Sequence, residues 1–357
     1  MRKIYILAAS ALMTFGLASC DIDNVENFGE LSSGNFPASD VDGEATLAGV
    51  YQNLNQTHAT PQQSFLYNAC LASDDQLGGG GDNDKLMQAL DLILNNGADM
   101  TNQFYVDRYA GINRANMLIS ALPNTSMSEE IKTQYLGEAL FLRAFYYYEL
   151  SSMYGNVPLR TAAGGETMQQ GNIEDIWKQI LQDLRDAIEM MPAKKSTSAG
   201  HVDKYTAEAM LGRAWLFYTG FFCNGSSIAV LTSTNYSPLT SVELLDGTTL
   251  TKQDVIAYID DCVNNSGYSL VPDFRNLWAY TNRLTVEDYD YTKGQGLKWV
   301  EDDSADNPES LFAIKFNKFA SWSTTIGYAN GIALHFGVRG GSTDAKFFPF
   351  GYGWGAG

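Results

Sequence analysis

Positive charge is scarce in this chain. Its 357 residues include 23 Lys and Arg against 41 Asp and Glu, a formal net charge of −18. A field of that sign repels phosphate backbones and excludes nucleic acid as a partner. Histidine is scarcer still: His58, His201 and His335 lie far apart, outside any HExxH or Cys/His spacing. Neither a zinc centre nor a histidine-activated nucleophile has support, and no cofactor is expected. Cysteine stands only at Cys20, Cys70, Cys223 and Cys262, without a CxxC pair. Leaving Cys20 aside, the other three read as buried or free thiols, the alternative being one disulfide and a spare. After Leu17 no long apolar run occurs. A bilayer span needs about 20 such residues, so the body of the chain is expected to be soluble.

What is present begins at the N-terminus. Arg2 and Lys3 precede an apolar run from Ile4 to Leu17 and the small-residue junction Leu17-Ala18-Ser19-Cys20. A basic start, an apolar segment shorter than a span and small residues at the end are the marks of an export signal. The junction resembles the lipobox of bacterial lipoproteins, which implies cleavage before Cys20 and lipid attachment to its thiol. The alternative is an ordinary signal peptide with a cysteine near the cut. On the lipobox reading residues 1–19 are the signal peptide. Several acyl chains then hold the protein at a membrane, since one alone anchors only marginally. Residues 20–38 are polar and acidic with scattered Gly and Ser, the composition of a flexible tether.

From there the pattern is helical. Leu47, Val50, Tyr51 and Leu54 share one helical face behind a start near Ser39 or Asp40. Tyr105, Tyr109, Ile112 and Met117 outline a second helix that Pro123 ends, after the glycine-rich loop Gly78–Gly81. Ser126 with Glu129 has capping-box spacing before a long run from Ser128 to Tyr154, which Gly155 and Pro158 stop. Ile176, Ile180, Leu184 and Ile188 mark a further helix ending at Pro192, and Asp203 is a fitting N-cap for one that reaches Phe222. Residues 224–249 read as a polar excursion. A helix then spans Lys252 to Asn264 with Val255, Ile259, Cys262 and Val263 inward, and Ser310–Phe316 reads as a short strand.

The segment EALFLRAFYYY (Glu138–Tyr148) aligns without gaps on EAMLGRAWLFY (Glu208–Tyr218). The offset is close to two tetratricopeptide units of about 34 residues. Ala139, Ala144, Ala209 and Ala214 let neighbouring helices approach, and the rings beside them fill the space. The run Phe145–Tyr148 covers every face of its helix, so it is core rather than a ligand platform. Arg143 and Arg213 are expected to pair with a carboxylate such as Glu138 or Glu208 across helices.

Several blocks resemble the SusD/RagB family, the nutrient-binding lipoproteins of the Bacteroidetes outer surface. EALFLRAFYYYELSSMYGNVPLRT (Glu138–Thr161) is similar to the family's helix-then-GxVPL signature. YAGINRANMLISALP (Tyr109–Pro123), YTAEAMLGRAWLFY (Tyr205–Tyr218), SGYSLVPDFRNLW (Ser266–Trp278) and NPESLFAIKF (Asn307–Phe316) follow in the family's order. The resemblance implies a mostly α fold of tetratricopeptide-like helix pairs, with an irregular, loop-rich region and a few short strands packed on it. It places the helical part at 39–222 and the start of the loop-rich part at 223–357. It also implies a SusC-type TonB-dependent outer-membrane barrel as partner, a cell-surface location, and a glycan, or in some members a peptide, as ligand. Family chains are generally longer, and the end at PFGYGWGAG has no terminating element, so the chain is expected to be a fragment.

Aromatics are abundant, with 20 Tyr, 18 Phe and 6 Trp. Sugars offer apolar C–H faces and many hydroxyls, so flat rings beside Asp, Asn, Gln or Arg suit them. Trp278 and Tyr280 with Arg275, Asn276 and Asn282 form one candidate, and Trp322 amid Ser and Thr a second; the plainer reading is that these rings seal loops against helices. Asp74 and Asp75, then Asp82, Asn83 and Asp84 across four glycines, form the densest carboxylate cluster. Asp74 and Asp75 are candidate ligand contacts, and Asp82 and Asp84 are weak calcium candidates that lack the DxDxDG loop and its glutamate; the leading reading of the cluster is a solvated loop. The leading expectation is a binder that passes an oligosaccharide to its barrel without catalysis. The competing class is a glycoside hydrolase with carboxylates about 5 Å or 6.5–9.5 Å apart, a role that adjacent Asp74 and Asp75 serve poorly. A third is a helical scaffold that binds only protein.

Overall fold

A computed structural model describes residues 36–59, 64–73, 101–164, 169–196, 200–225, 227–302, 307–316 and 331–332. The chain divides into Met1–Phe36 and Pro37–Gly357, and the architecture below is that of the second unit. Its helices are α1 (Asp40–Ala59), α2 (Phe65–Leu71), α3 (Asn102–Ala121), α4 (Glu129–Tyr154), α5 (Ile173–Met190), α6 (Lys204–Trp215), α7 (Ile228–Leu231) and α8 (Lys252–Asn265). The only strands among the described residues, β1 (Ser241–Glu243) and β2 (Thr249–Thr251), form an antiparallel hairpin with Val242 opposite Leu250. The protein is mostly α, as its periodicity predicts.

The long helices stack in chain order: α1 on α3 and α4, α3 on α4, α4 on α5, α5 on α6, and α6 on α8. Helix α4 is the axis, with Ala139, Leu142, Ala144, Tyr146, Tyr147 and Leu150 fully buried. The run Phe145–Tyr148 is therefore core. Trp177 of α5 is fully buried in a ring cluster with Tyr148 at 5.6 Å, Phe217 at 5.1 Å and Tyr218 at 5.8 Å, and burying such a side chain contributes about 2–3 kcal/mol. Helix α6 continues beyond Trp215 as a π-helical turn, Leu216–Phe221. Asp203 caps it by accepting the Thr206 amide at 2.8 Å.

The GxVPL stretch is structural. Gly155 ends α4 with a φ of 70°, a conformation that glycine adopts without strain. The loop is then tied back, because Tyr109 donates to the Pro158 carbonyl at 2.6 Å. Tyr147 accepts the Arg160 amide, also at 2.6 Å. Asn116 donates to the carbonyls of Arg160 and Ala162.

Several expectations are corrected. The Ser126/Glu129 capping box does not form: Ser126 donates to the Ala38 carbonyl, and Ser128 is the N-cap without a side-chain cap bond. The carboxylate of Asp40, at the start of α1, takes the Ser128 amide instead, at 3.1 Å. Met117 and Val263 face outward. Ser310–Phe316 belongs to no ladder, and the chain bends at Leu311. It is held by side chains, Thr206 donating to the Leu311 carbonyl and Asn55 to that of Lys315, while Phe312 packs on Phe141 and Phe145.

Of the two arginines, one pairs with a carboxylate across helices as expected, though with neither Glu138 nor Glu208, and the other meets a ring. Arg143 meets Asp183 through two hydrogen bonds of 2.7 and 2.6 Å, and Arg213 lies over the Tyr148 ring. Glu138 serves Tyr51, Gln134 and His201 instead. Cys70, Cys223 and Cys262 are free thiols.

Candidate functional site

The polar stretch after α8 builds a surface of rings. Asp273 caps a short 3-10 turn, Phe274–Leu277, by accepting the Arg275 amide at 3.0 Å. A second turn, Ala279–Thr281, follows directly. Small buried hydroxyls hold the loop from within, with Thr281 donating to the Trp278 carbonyl, Thr285 to that of Tyr280 and Thr292 to that of Val286. Asn276 fastens the far side, its side chain accepting the Lys298 amide at 2.8 Å and its carbonyl the Val300 amide at 2.9 Å. Held in this way, the loop leaves several of its rings outside.

Trp278 is 52% exposed and Phe274 67%, and their centroids lie 6.1 Å apart at 72°. Tyr291, 58% exposed, stacks on Tyr289 at 5.3 Å and meets Tyr280 edge-on at 5.7 Å. Exposed large rings in such density are uncommon on a soluble surface and mark interaction sites.

Arg275 sits in this patch, but its guanidinium is engaged. It meets the Asp273 carboxylate at 2.7 and 3.0 Å and donates to Gln295. The hydrogen bonds to Asp273 raise the arginine above its ordinary range and hold the Asp273 carboxyl below the usual carboxylate range. Two further acids of the loop are also occupied, Asp302 by the Arg283 amide at 2.7 Å and Glu287 by the Gly294 amide.

Of the residues singled out from sequence, Trp278, Tyr280 and Arg275 come together on this surface. Asn282 does not reach it. It is buried, donates to Thr285 and accepts the Leu284 amide, because the turn after Thr281 needs those bonds. Cys20, Asp74, Asp75, Asp82, Asp84 and Trp322 lie outside the described residues. Phe274, Tyr289 and Tyr291 were not singled out. Phe274 stands inside the block Ser266–Trp278, and the two tyrosines show only as an Asp-Tyr alternation in a polar run, Asp288–Tyr291.

Antiparallel helices stacked in sequence order, with a loop-built surface laid beside them, define a helical-repeat fold. Within that class the chain belongs to the SusD-like family, whose model, described as "Starch-binding associating with outer membrane", matches residues 28–216. Curated relatives include SusD-like protein P38 of Formosa agariphila, 27% identical over 201 residues, which are 52% of this chain and 38% of the relative. SusD-like protein P2 of the same organism is 24% identical over 60% of this chain and 43% of its own length. The chain thus spans well under half of these relatives.

Among solved structures, surface glycan-binding protein A from Bacteroides fluxus matches with a TM-score of 0.63 at 20% identity, over 89% of this chain and 59% of that one. A laminarin-binding SusD-like protein matches with a TM-score of 0.59 at 23% identity, over 85% and 58%. At these identities the likeness is one of fold.

Proposed function

We propose that this protein is an outer-membrane surface lipoprotein that captures an oligosaccharide and hands it, chemically unchanged, to a SusC-type TonB-dependent barrel. The reading attaches lipid at Cys20 and makes the rings of Phe274, Trp278, Tyr280 and Tyr291 the capture surface. The observation that carries it is the exposure of Phe274, Trp278 and Tyr291, with Tyr280 half-buried beside them, on a loop held from within by Thr281, Thr285 and Thr292. Ring faces suit the C–H faces of neutral sugars, and the strongly negative net charge disfavours polyanions. Capture without hydrolysis is supported by three of the loop carboxylates, Asp273, Glu287 and Asp302, which are each tied to a neighbouring donor rather than poised as an acid and base pair. Membership of a family described as starch-binding and outer-membrane-associated supports the ligand class and the location.

The test is affinity electrophoresis against a polysaccharide panel, with released reducing ends assayed in parallel. Retardation without products is expected. Trp278→Ala should weaken retention at least about tenfold, about 1.4 kcal/mol, the size of one stacking contact. Products would overturn the non-catalytic reading, and unchanged retention in Phe274→Ala/Trp278→Ala would reject the surface. Retention of peptides alone would move the ligand to that class.

A further inference from the structure

Helices α6 and α8 lie side by side at one end of the helix stack, and the groove between them is open. It encloses about 510 Å³ and is lined by Ala209, Gly212, Leu216, Val255, Ile256 and Ile259. Gly212 permits the close pairing, since a Cβ there would stand 2.6 Å from the Ile259 side chain. Leu216 is 71% exposed, Val263 72% and Ile256 38%. Lys204 at the start of α6 bonds Asp261 near the end of α8 at 2.5 Å, so the two helices run antiparallel.

The groove has polarity. Arg213 and Lys252 line it toward the N-terminal end of α8, and Asp260 toward the C-terminal end. A helix seated there is favoured with its negative C-terminal end at the two cations, which sets it antiparallel to α8. That direction also continues the alternation of the stack. On α8 itself Lys252, Ile256, Ile259 and Val263 recur in steps of four, three and four, the spacing of a two-helix seam. A second α8 laid antiparallel across a two-fold axis matches both features. Each Lys252 then falls beside the other copy's Asp260, and each Val263 lies about one turn beyond the other copy's Lys252, at the end of its groove, so the contact closes on itself.

We infer that the α6–α8 groove is a self-association surface, occupied by α8 of a second copy of this chain in antiparallel register. One such groove buries less than a standard interface, so the dimer is weak and concentration-dependent.

Sedimentation velocity on the purified full chain, from about 1 µM to about 200 µM, is the test. A reversible monomer–dimer shift is expected. Ile256→Asp and Val263→Asp, both at exposed positions, should weaken it at least about tenfold with unchanged circular dichroism. Lys252→Asp and Asp260→Lys should each weaken it, and the pair of reversals together should restore it. A monomer throughout the range overturns the inference. So does a dimer indifferent to Ile256→Asp and Val263→Asp, or single reversals that the double reversal does not rescue. A monomer whose groove instead takes up a synthetic amphipathic helix overturns the choice of occupant.

Discussion

Replacing Glu208 with Gln should make the protein more stable, and only above acidic pH. Glu208 is fully buried on α6. Lys204 Nζ approaches its Oε1 only to 3.4 Å, and neither carboxylate oxygen makes a well-formed hydrogen bond. Burial is the main force pushing its carboxyl up from 4.5 to about 7, and the Asp261 carboxylate adds to it while Lys204 opposes. The sign follows from proton counting. Between pH 4.5 and about 7 the unfolded chain gives up the Glu208 proton while the folded chain keeps it. Stability therefore falls as pH rises through that window and stays reduced above it. The gap is about 2.5 pH units at about 1.4 kcal/mol each, or about 3 kcal/mol. Gln keeps the shape and removes the charge. Urea denaturation followed by circular dichroism, from about pH 4 to about pH 8, should show Glu208→Gln level with the parent at the acid end. At the alkaline end it should be more stable by up to about 3 kcal/mol. A difference that does not change with pH, or a variant less stable near pH 8, would refute the reasoning.

Asp183→Ala strands the buried Arg143 guanidinium that it now meets at 2.6 Å, and should cost about 3–5 kcal/mol by the same denaturation assay; a loss below about 1 kcal/mol would contradict the pairing. Gly111→Ala should destabilise by about 1–3 kcal/mol despite alanine's better helix propensity, because the added Cβ would stand 2.6 Å from Asn53 and 2.8 Å from Tyr146. His201 is held above its ordinary range chiefly by its hydrogen bond to Glu138. Its contribution is therefore fully present below about pH 6.5 and lost as pH rises through the raised value. His201→Ala should flatten that part of the stability profile, and NMR titration of the ring in the parent should give a midpoint above about 6.5. A midpoint below that would remove the clamp.

The helices were readable because their signals are local. Leu47, Val50 and Leu54 form one stripe in sequence and one buried stripe in space, and the Asp203 carboxylate needs only the amide three residues on. The failures share one cause. Ser126 and Ser128 follow Ala38 and Asp40 of a distant segment rather than their own helix, and Phe312 follows the rings of α4 rather than a strand partner. Competition from the far side of the fold outweighs a bond or two of local geometry. The ring surface was half legible: Trp278 and Tyr280 stand in one suggestive block, whereas Tyr291 joins them only through a return of the chain fastened at Asn276 and Gln295.

The repeat pair separates the two kinds of information. Composition, periodicity and the aligned helices by themselves determined a mostly helical stack with an acidic, aromatic-rich body, because burial of an apolar stripe depends on spacing alone. They also put a glutamate at the same repeat position twice, at 138 and 208. Only the tertiary structure decided what each became. Tyr51, Gln134 and His201 converge on Glu138, while at Glu208 the neighbouring helix brings another carboxylate, Asp261, and leaves Lys204 shared between the two acids. A buried charge is governed by the groups that distant segments bring to it, and an equivalent position in a repeat does not specify them.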